Sequence, residues 1–215
     1  MAKYTLYVAY GSNLNVPQME QRCPDAEIYG VGRIEDYRLV FKGLGVYSYA
    51  TIEPYDGEYV PVAVWRISAR DEARLDRYEG YPMHYQKHIV KVVLSDGGVV
   101  GGMVYIMDAR AMSGVPTRSY FDCVLMGYNS FGLDVQKLYQ AWFLADGGSY
   151  CDGSTLKYYR ERKGLTQTQL SEKSGVGLGS IQKYETGERN IKTARACTVL
   201  RVAQALGISP YLLMN

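Results

Sequence analysis

Two stretches of this 215-residue chain carry groups able to hold an anion or move a proton. The first, Tyr10-Gly11-Ser12-Asn13-Leu14, follows an aromatic and β-branched run that starts at Tyr4. Glycine in such a turn lets a ligand approach the backbone closely, and successive N–H groups can cradle an anion. The same residues also suit an ordinary turn. The second stretch, Leu75-Asp76-Arg77-Tyr78-Glu79-Gly80-Tyr81-Pro82, puts Glu79 at a helix end among tyrosines. Glu72, Leu75, Asp76 and Glu79 recur at helical spacing. If that face turns inward, Glu79 is partly desolvated and its pKa rises. If the face meets water, Glu79 is only a surface charge.

Both stretches need a scaffold, and the first 110 residues read mainly as strands. Tyr4–Tyr10, Asp36–Lys42, Tyr59–Ile67, Gln86–Leu94 and Val99–Met107 are rich in β-branched and aromatic residues. The last two flank Ser95-Asp96-Gly97-Gly98, whose Asp-Gly predicts a hairpin. Ser68 and Asp71 have capping-box spacing, so a helix opens there and stops at Gly80. Between Thr117 and Ala145 the period lengthens and predicts two more helices. Strands first and helices last make a mixed α+β domain.

The chain is 47% hydrophobic and 21% charged, as expected of a folded protein. No apolar run reaches roughly 18 residues, which excludes a membrane-spanning helix. The N-terminus lacks a signal-peptide core, so a cytoplasmic protein with no membrane partner is expected. Cys23, Cys123, Cys151 and Cys197 form no C-x-x-C pair, and His84 and His88 are the only histidines. Reduced cysteines, no metal and no cofactor are the expectation. Charge divides unevenly: residues 1–151 hold 14 basic and 17 acidic residues, net −3, whereas residues 152–215 hold 10 and 5, net +5. Two parts with different partners are implied.

The first part resembles the gamma-glutamylcyclotransferases, the AIG2-like superfamily, on motifs that occur in order. These are Tyr10–Leu14, Ala50-Thr51-Ile52 followed by Pro54, Leu75–Pro82 with Tyr85, and Pro116–Tyr120 extended by Gly127-Tyr128 and Gly132-Leu133. The resemblance spans roughly residues 4 to 145 and implies a mixed β-barrel with helices. It further implies a small γ-glutamyl substrate, bound by Tyr10 and by the backbone N–H groups of Gly11, Ser12, Asn13 and Leu14. Glu79 would remove a proton from the substrate's α-amine, which then attacks its own γ-carbonyl. The products are 5-oxoproline and a free amino acid or amine. Tyr85 and Tyr120 would contact the substrate, although both also suit a plain aromatic core. The segment Gly43–Tyr49 would lie at the pocket mouth and select the leaving group.

Residues from Leu156 to Met214 resemble the helix-turn-helix domain of phage repressors (Cro/C1 type). Leu156–Gly164 matches its first helix, Leu165–Val176 the second helix and turn, and Ser180–Gly187 the third. That helix enters the major groove in such domains. DNA is therefore the implied partner, with Gln167, Ser180, Gln182 and Lys183 as candidate contacts. The start Gly177-Leu178-Gly179-Ser180 is unusual, because two glycines stand where base-reading side chains are expected. A solvated surface with no DNA role stays open.

We divide the chain into a cyclotransferase-like domain at 1–146, a flexible linker at 147–153, rich in glycine and serine, and a small all-α helix-turn-helix domain at 154–215. Three functions fit: an enzyme tethered to a DNA-binding module, a transcriptional regulator whose first domain only senses a γ-glutamyl metabolite, or a helix-turn-helix used for protein contacts, which leaves a homodimer open. The retained Glu79 favours the first.

Overall fold

The computed structural model describes residues 4–145, 154–208 and 210–214. The chain divides into two compact units, Met1–Asp146 and Gly147–Asn215. The stretch read as a linker, 147–153, lies outside the described residues.

In the first unit, β1 (Thr5–Ala9) leads into a 3-10 turn (Ser12–Leu14) and α1 (Val16–Arg22). Then come β2 (Glu27–Gly43), β3 (Tyr49–Ile67), α2 (Ala69–Glu79), β4 (Tyr85–Leu94), β5 (Val99–Met107) and the short β6 (Met112–Ser113). The helices α3 (Arg118–Ser130) and α4 (Val135–Ala145) follow. The strand order β3-β1-β5-β4-β2 closes on itself because β2 also pairs with β3, and β6 is appended to β2. Closure satisfies the edge groups of all five strands. Only the β1–β5 contact is parallel. Val8, Val62, Val64, Val92 and Val104 lie fully buried in its core.

The strands β2 and β3 run much further than Asp36–Lys42 and Tyr59–Ile67. Gly30, Gly32, Pro54 and Pro61 interrupt the local pattern, and two register shifts break the alternation. At the second shift Asp36 takes φ 58°, a conformation that aspartate tolerates, and its Oδ1 accepts from the Gly57 N–H at 3.0 Å. Pairing between the two strands, which is long-range, sustains them where propensity does not. Helix α2 follows its local signals. Ser68 Oγ accepts from the Asp71 N–H at 3.1 Å, Asp71 returns the bond, and Gly80 stops the helix at φ 64°.

The second unit is helical: α5 (Ser154–Arg162), α6 (Gln167–Ser174), α7 (Leu178–Glu185) and α8 (Ala196–Leu206), with 3-10 turns at Ile191–Thr193 and Pro210–Leu213. Leu156, Leu170, Ile181, Val199 and Val202 make its core. Thr166 and Gln169 form a capping box at the start of α6, and Gly175 ends it at φ 65°. Arg160 donates to both carboxylate oxygens of the buried Glu185, at 2.6 and 2.9 Å, and so ties α5 to α7. No described helix is long and apolar enough to cross a membrane.

Candidate active site

The turn after β1 and the end of α2 meet at one side of the barrel. Strand β1 delivers Tyr7 and Tyr10 to the interior, and the 3-10 turn then places Ser12 and Asn13 beside the last residue of α2. Asn13 Nδ2 donates to Glu79 Oε1 at 2.8 Å and to the Tyr7 hydroxyl at 2.6 Å. Arg22 on α1 fixes the other end of that amide, donating to Asn13 Oδ1 at 2.5 Å. The same guanidinium reaches Ser12 Oγ at 3.3 Å and the Tyr78 hydroxyl at 2.6 Å. Asn13 can therefore present only its NH₂ to Glu79.

Two glycines allow this assembly. A β-carbon on Gly11 would press to 3.3 Å from both Ala50 Cβ and the Tyr120 hydroxyl. One on Gly127, in α3, would collide with Leu14 Cβ at 2.4 Å and with Leu14 C at 2.6 Å. The motif glycines thus let the turn pack against α3 and β3.

A cleft of about 650 Å³ opens above Glu79, within the range of small-molecule sites. Beneath it lies a second cavity of about 20 Å³, large enough for a water. Ser12, Glu79, Tyr85 and Tyr120 line both and so form the floor between them. Burial raises the Glu79 carboxyl to about 7, against the weaker opposing pull of the Asn13 hydrogen bond and the Arg22 charge. Glu72 and Asp76, on the same helix face, instead pair with Lys87 at 2.7 and 2.8 Å. Of the carboxylates on that face, Glu79 is the one in the cleft.

The two tyrosines of the floor differ in what they can offer. The Tyr120 hydroxyl accepts from the Ala50 N–H at 3.2 Å and keeps its own proton free to donate. The Tyr85 hydroxyl gives its proton to the Ala50 carbonyl at 3.0 Å and can only accept. Burial pushes both pKa values up, so both remain protonated.

Of the other expected substrate contacts, Tyr10, Gly11 and Asn13 line only the lower cavity, and the Tyr10 hydroxyl is held by the Tyr105 carbonyl at 2.5 Å. Leu14 is not brought to either cavity: its side chain is fully buried and its N–H donates to the Gly11 carbonyl at 3.0 Å. Arg22 went unnoticed in the sequence because nothing local separates it from an ordinary helix cation. Only its contacts across to Asn13 and Tyr78 reveal it.

A family model for gamma-glutamyl cyclotransferase, AIG2-like, matches residues 7–121, which include the turn, Glu79 and Tyr120. The chain belongs to the AIG2-like gamma-glutamyl cyclotransferase family. Human gamma-glutamylcyclotransferase is 30% identical over 139 residues, 61% of this chain and 73% of the human protein. The mouse gamma-glutamylcyclotransferase is 32% identical over 136 residues, 60% of this chain and 72% of the mouse protein. A solved gamma-glutamyl cyclotransferase superposes with a TM-score of 0.60 at 28% identity, covering 65% of this chain and 86% of that one. YkqA from Bacillus subtilis, at 17% identity and a TM-score of 0.56, shares the fold. Beyond the cyclotransferase region, a helix-turn-helix model matches residues 156–213.

In that helix-turn-helix unit, the four residues expected at DNA are differently placed. Gln182 and Lys183 are exposed on α7, with Lys183 paired to Glu188 at 2.9 Å. Ser180 is half-buried. Gln167, expected to reach a phosphate, instead donates to Glu185 at 2.8 Å. A β-carbon added at Gly177 or Gly179 would meet no other atom within 4 Å, so the start of α7 carries no side chain at either position and has room for one.

Proposed function

We propose that the first unit converts a γ-glutamyl amino acid or amine to 5-oxoproline, and that the second binds DNA. The observation that carries the first part is Glu79, a carboxyl with a pKa raised to about 7, on the floor of a cleft and oriented by Asn13.

The steps balance without water. The Glu79 carboxylate takes a proton from the substrate's α-ammonium, and the freed amine attacks the γ-carbonyl carbon. A C–N bond forms, the carbonyl oxygen takes up negative charge, and the amide bond to the leaving group breaks. The leaving nitrogen collects the proton that Glu79 gained; Glu79 then takes the second proton from the ring nitrogen and passes it to the departing amine, which leaves as its ammonium. Because both reacting groups belong to one molecule, orientation supplies an effective molarity on the order of 10⁵ M or more. Tyr120, with its proton free, is the donor suited to the developing oxyanion. The opening N–H groups of the Ser12–Leu14 turn fall outside the turn's own bonding and add to it.

The test is 5-oxoproline release by wild-type and Glu79→Gln protein from γ-glutamyl amino acids, glutathione and γ-glutamylamines. Release by wild type alone supports the reading. No release from any of them leaves a sensor domain attached to a regulator. For the second unit, the net charge of +5 over residues 152–215 supports attraction to phosphate. Salt-dependent retention of duplex DNA by the full chain tests it, and no retention at low salt ends that part of the proposal.

A further inference from the structure

The cleft is larger than the reaction centre needs, and its outer wall has a distinct chemistry. Ser12, Glu79, Tyr85 and Tyr120 mark where bonds change, and the leaving group must project from there toward the mouth. Residues that line the cleft but not the lower cavity include Leu44, Val46, Tyr47, Tyr49, Arg77 and Met107. Leu44, Val46, Tyr47 and Tyr49 are 45%, 92%, 59% and 42% exposed, an apolar cluster uncovered at the mouth. Their loop is not loose at its base. A β-carbon on Gly43 would strike the Tyr47 carbonyl oxygen at 2.0 Å, and β6 pairs with the end of β2 at Gly43↔Met112. Close backbone packing at Gly43 and Tyr47 thus anchors the loop whose apolar side chains line the mouth of the cleft.

Arg77 stands among them as the one exposed cation of this outer wall and has no carboxylate partner among the described residues. A free guanidinium beside an apolar wall suits a group with an apolar body and an anionic end. Resting on the cyclotransferase reading, we infer that the mouth selects leaving groups that are bulky apolar or aromatic amino acids, with Arg77 pairing to their α-carboxylate.

Three substrates separate the parts of this inference: γ-glutamyl-phenylalanine, γ-glutamyl-alanine and γ-glutamyl-phenethylamine, which keeps the ring and lacks the carboxylate. Wild type should turn over the phenylalanine compound with kcat/KM roughly 10–100-fold above the alanine compound, as burial of an extra aromatic side chain allows. Val46→Asp should narrow that ratio. Arg77→Ala should lower kcat/KM about tenfold for γ-glutamyl-phenylalanine and leave γ-glutamyl-phenethylamine nearly unmoved. Equal efficiency on all three substrates overturns the inference alone. Equal losses on both aromatic compounds in Arg77→Ala would assign Arg77 to the glutamyl carboxylate and overturn its assigned role. Release of 5-oxoproline from none of them by wild type would overturn the cyclotransferase reading itself. Retained turnover of γ-glutamyl-alanine by Val46→Asp, and of γ-glutamyl-phenethylamine by Arg77→Ala, shows that each variant folds.

Discussion

Each unit of this chain draws a glutamate out of bulk water, Glu185 almost wholly and Glu79 in part, and the two are handled in opposite ways. Glu185 lies between α5 and α7 with both oxygens taken by Arg160 and a further bond from Gln167. Glu79 has one neutral amide on one oxygen, and the nearest guanidinium is held one side chain away, on the far end of that amide. A carboxylate wrapped by a cation is a structural tie. A carboxylate that is desolvated but only lightly compensated keeps a high proton affinity, and its free oxygen faces a cleft. The difference lies chiefly in the partner: Glu185, the more buried of the two, is compensated by a cation, whereas the half-buried Glu79 is not.

The sharpest way to break this comparison is at Glu79. Glu79→Gln keeps the acceptor for Asn13 and removes the base, so turnover should fall roughly 10²–10⁴-fold in a 5-oxoproline assay. Retained turnover would make Glu79 one more structural carboxylate. The counterpart is Glu185→Ala, which strands Arg160. The melting transition of the helical unit should lose about 3–5 kcal/mol, read by calorimetry on the full chain. A variant that melts unchanged would show that the ion pair ties nothing.

Stability against pH gives an intermediate effect with a definite sign. The Glu79 pKa is raised from 4.5 to about 7, so folding binds its proton more tightly. The resulting stabilisation is present below the lower value and is lost as pH rises through about 7. Glu79→Gln should therefore match wild type near pH 4 and exceed it at pH 8 by an amount on the order of 1–3 kcal/mol. In activity the sign reverses, because the base must be ionised: kcat/KM should rise with pH through about 7. Asn13 and Arg22 both pull this value down, so Arg22→Ala should shift the acid limb upward, and an unmoved profile would remove Arg22 from the site. The smallest effect belongs to α7. Gln182→Ala with Lys183→Ala should weaken DNA retention and flatten its dependence on log salt by about one phosphate contact.

Much of the scaffold was legible because its signals are local. The Ser68/Asp71 cap, the Gly80 stop, the Asp96-Gly97 hairpin and the capped α6 each need only a few adjacent residues. The extent of β2 and β3 was hidden, since glycines, prolines and two register shifts obscure the alternation that pairing across the barrel restores. At the site, helical spacing correctly put Glu72, Asp76 and Glu79 on one face. Spacing could not show that Lys87, from a different strand, neutralises the first two.

By itself the sequence determined the two-part organisation, the order of the motifs and the identity of the carboxylate worth testing, because composition and short-range pattern encode them. Only the tertiary structure decided which oxygen is free, which tyrosine keeps its proton, that Leu14 and Gln167 face inward, and that Arg22 steadies Asn13. These are contacts between residues far apart in the chain, and the closing of the barrel and the packing of helices bring them together.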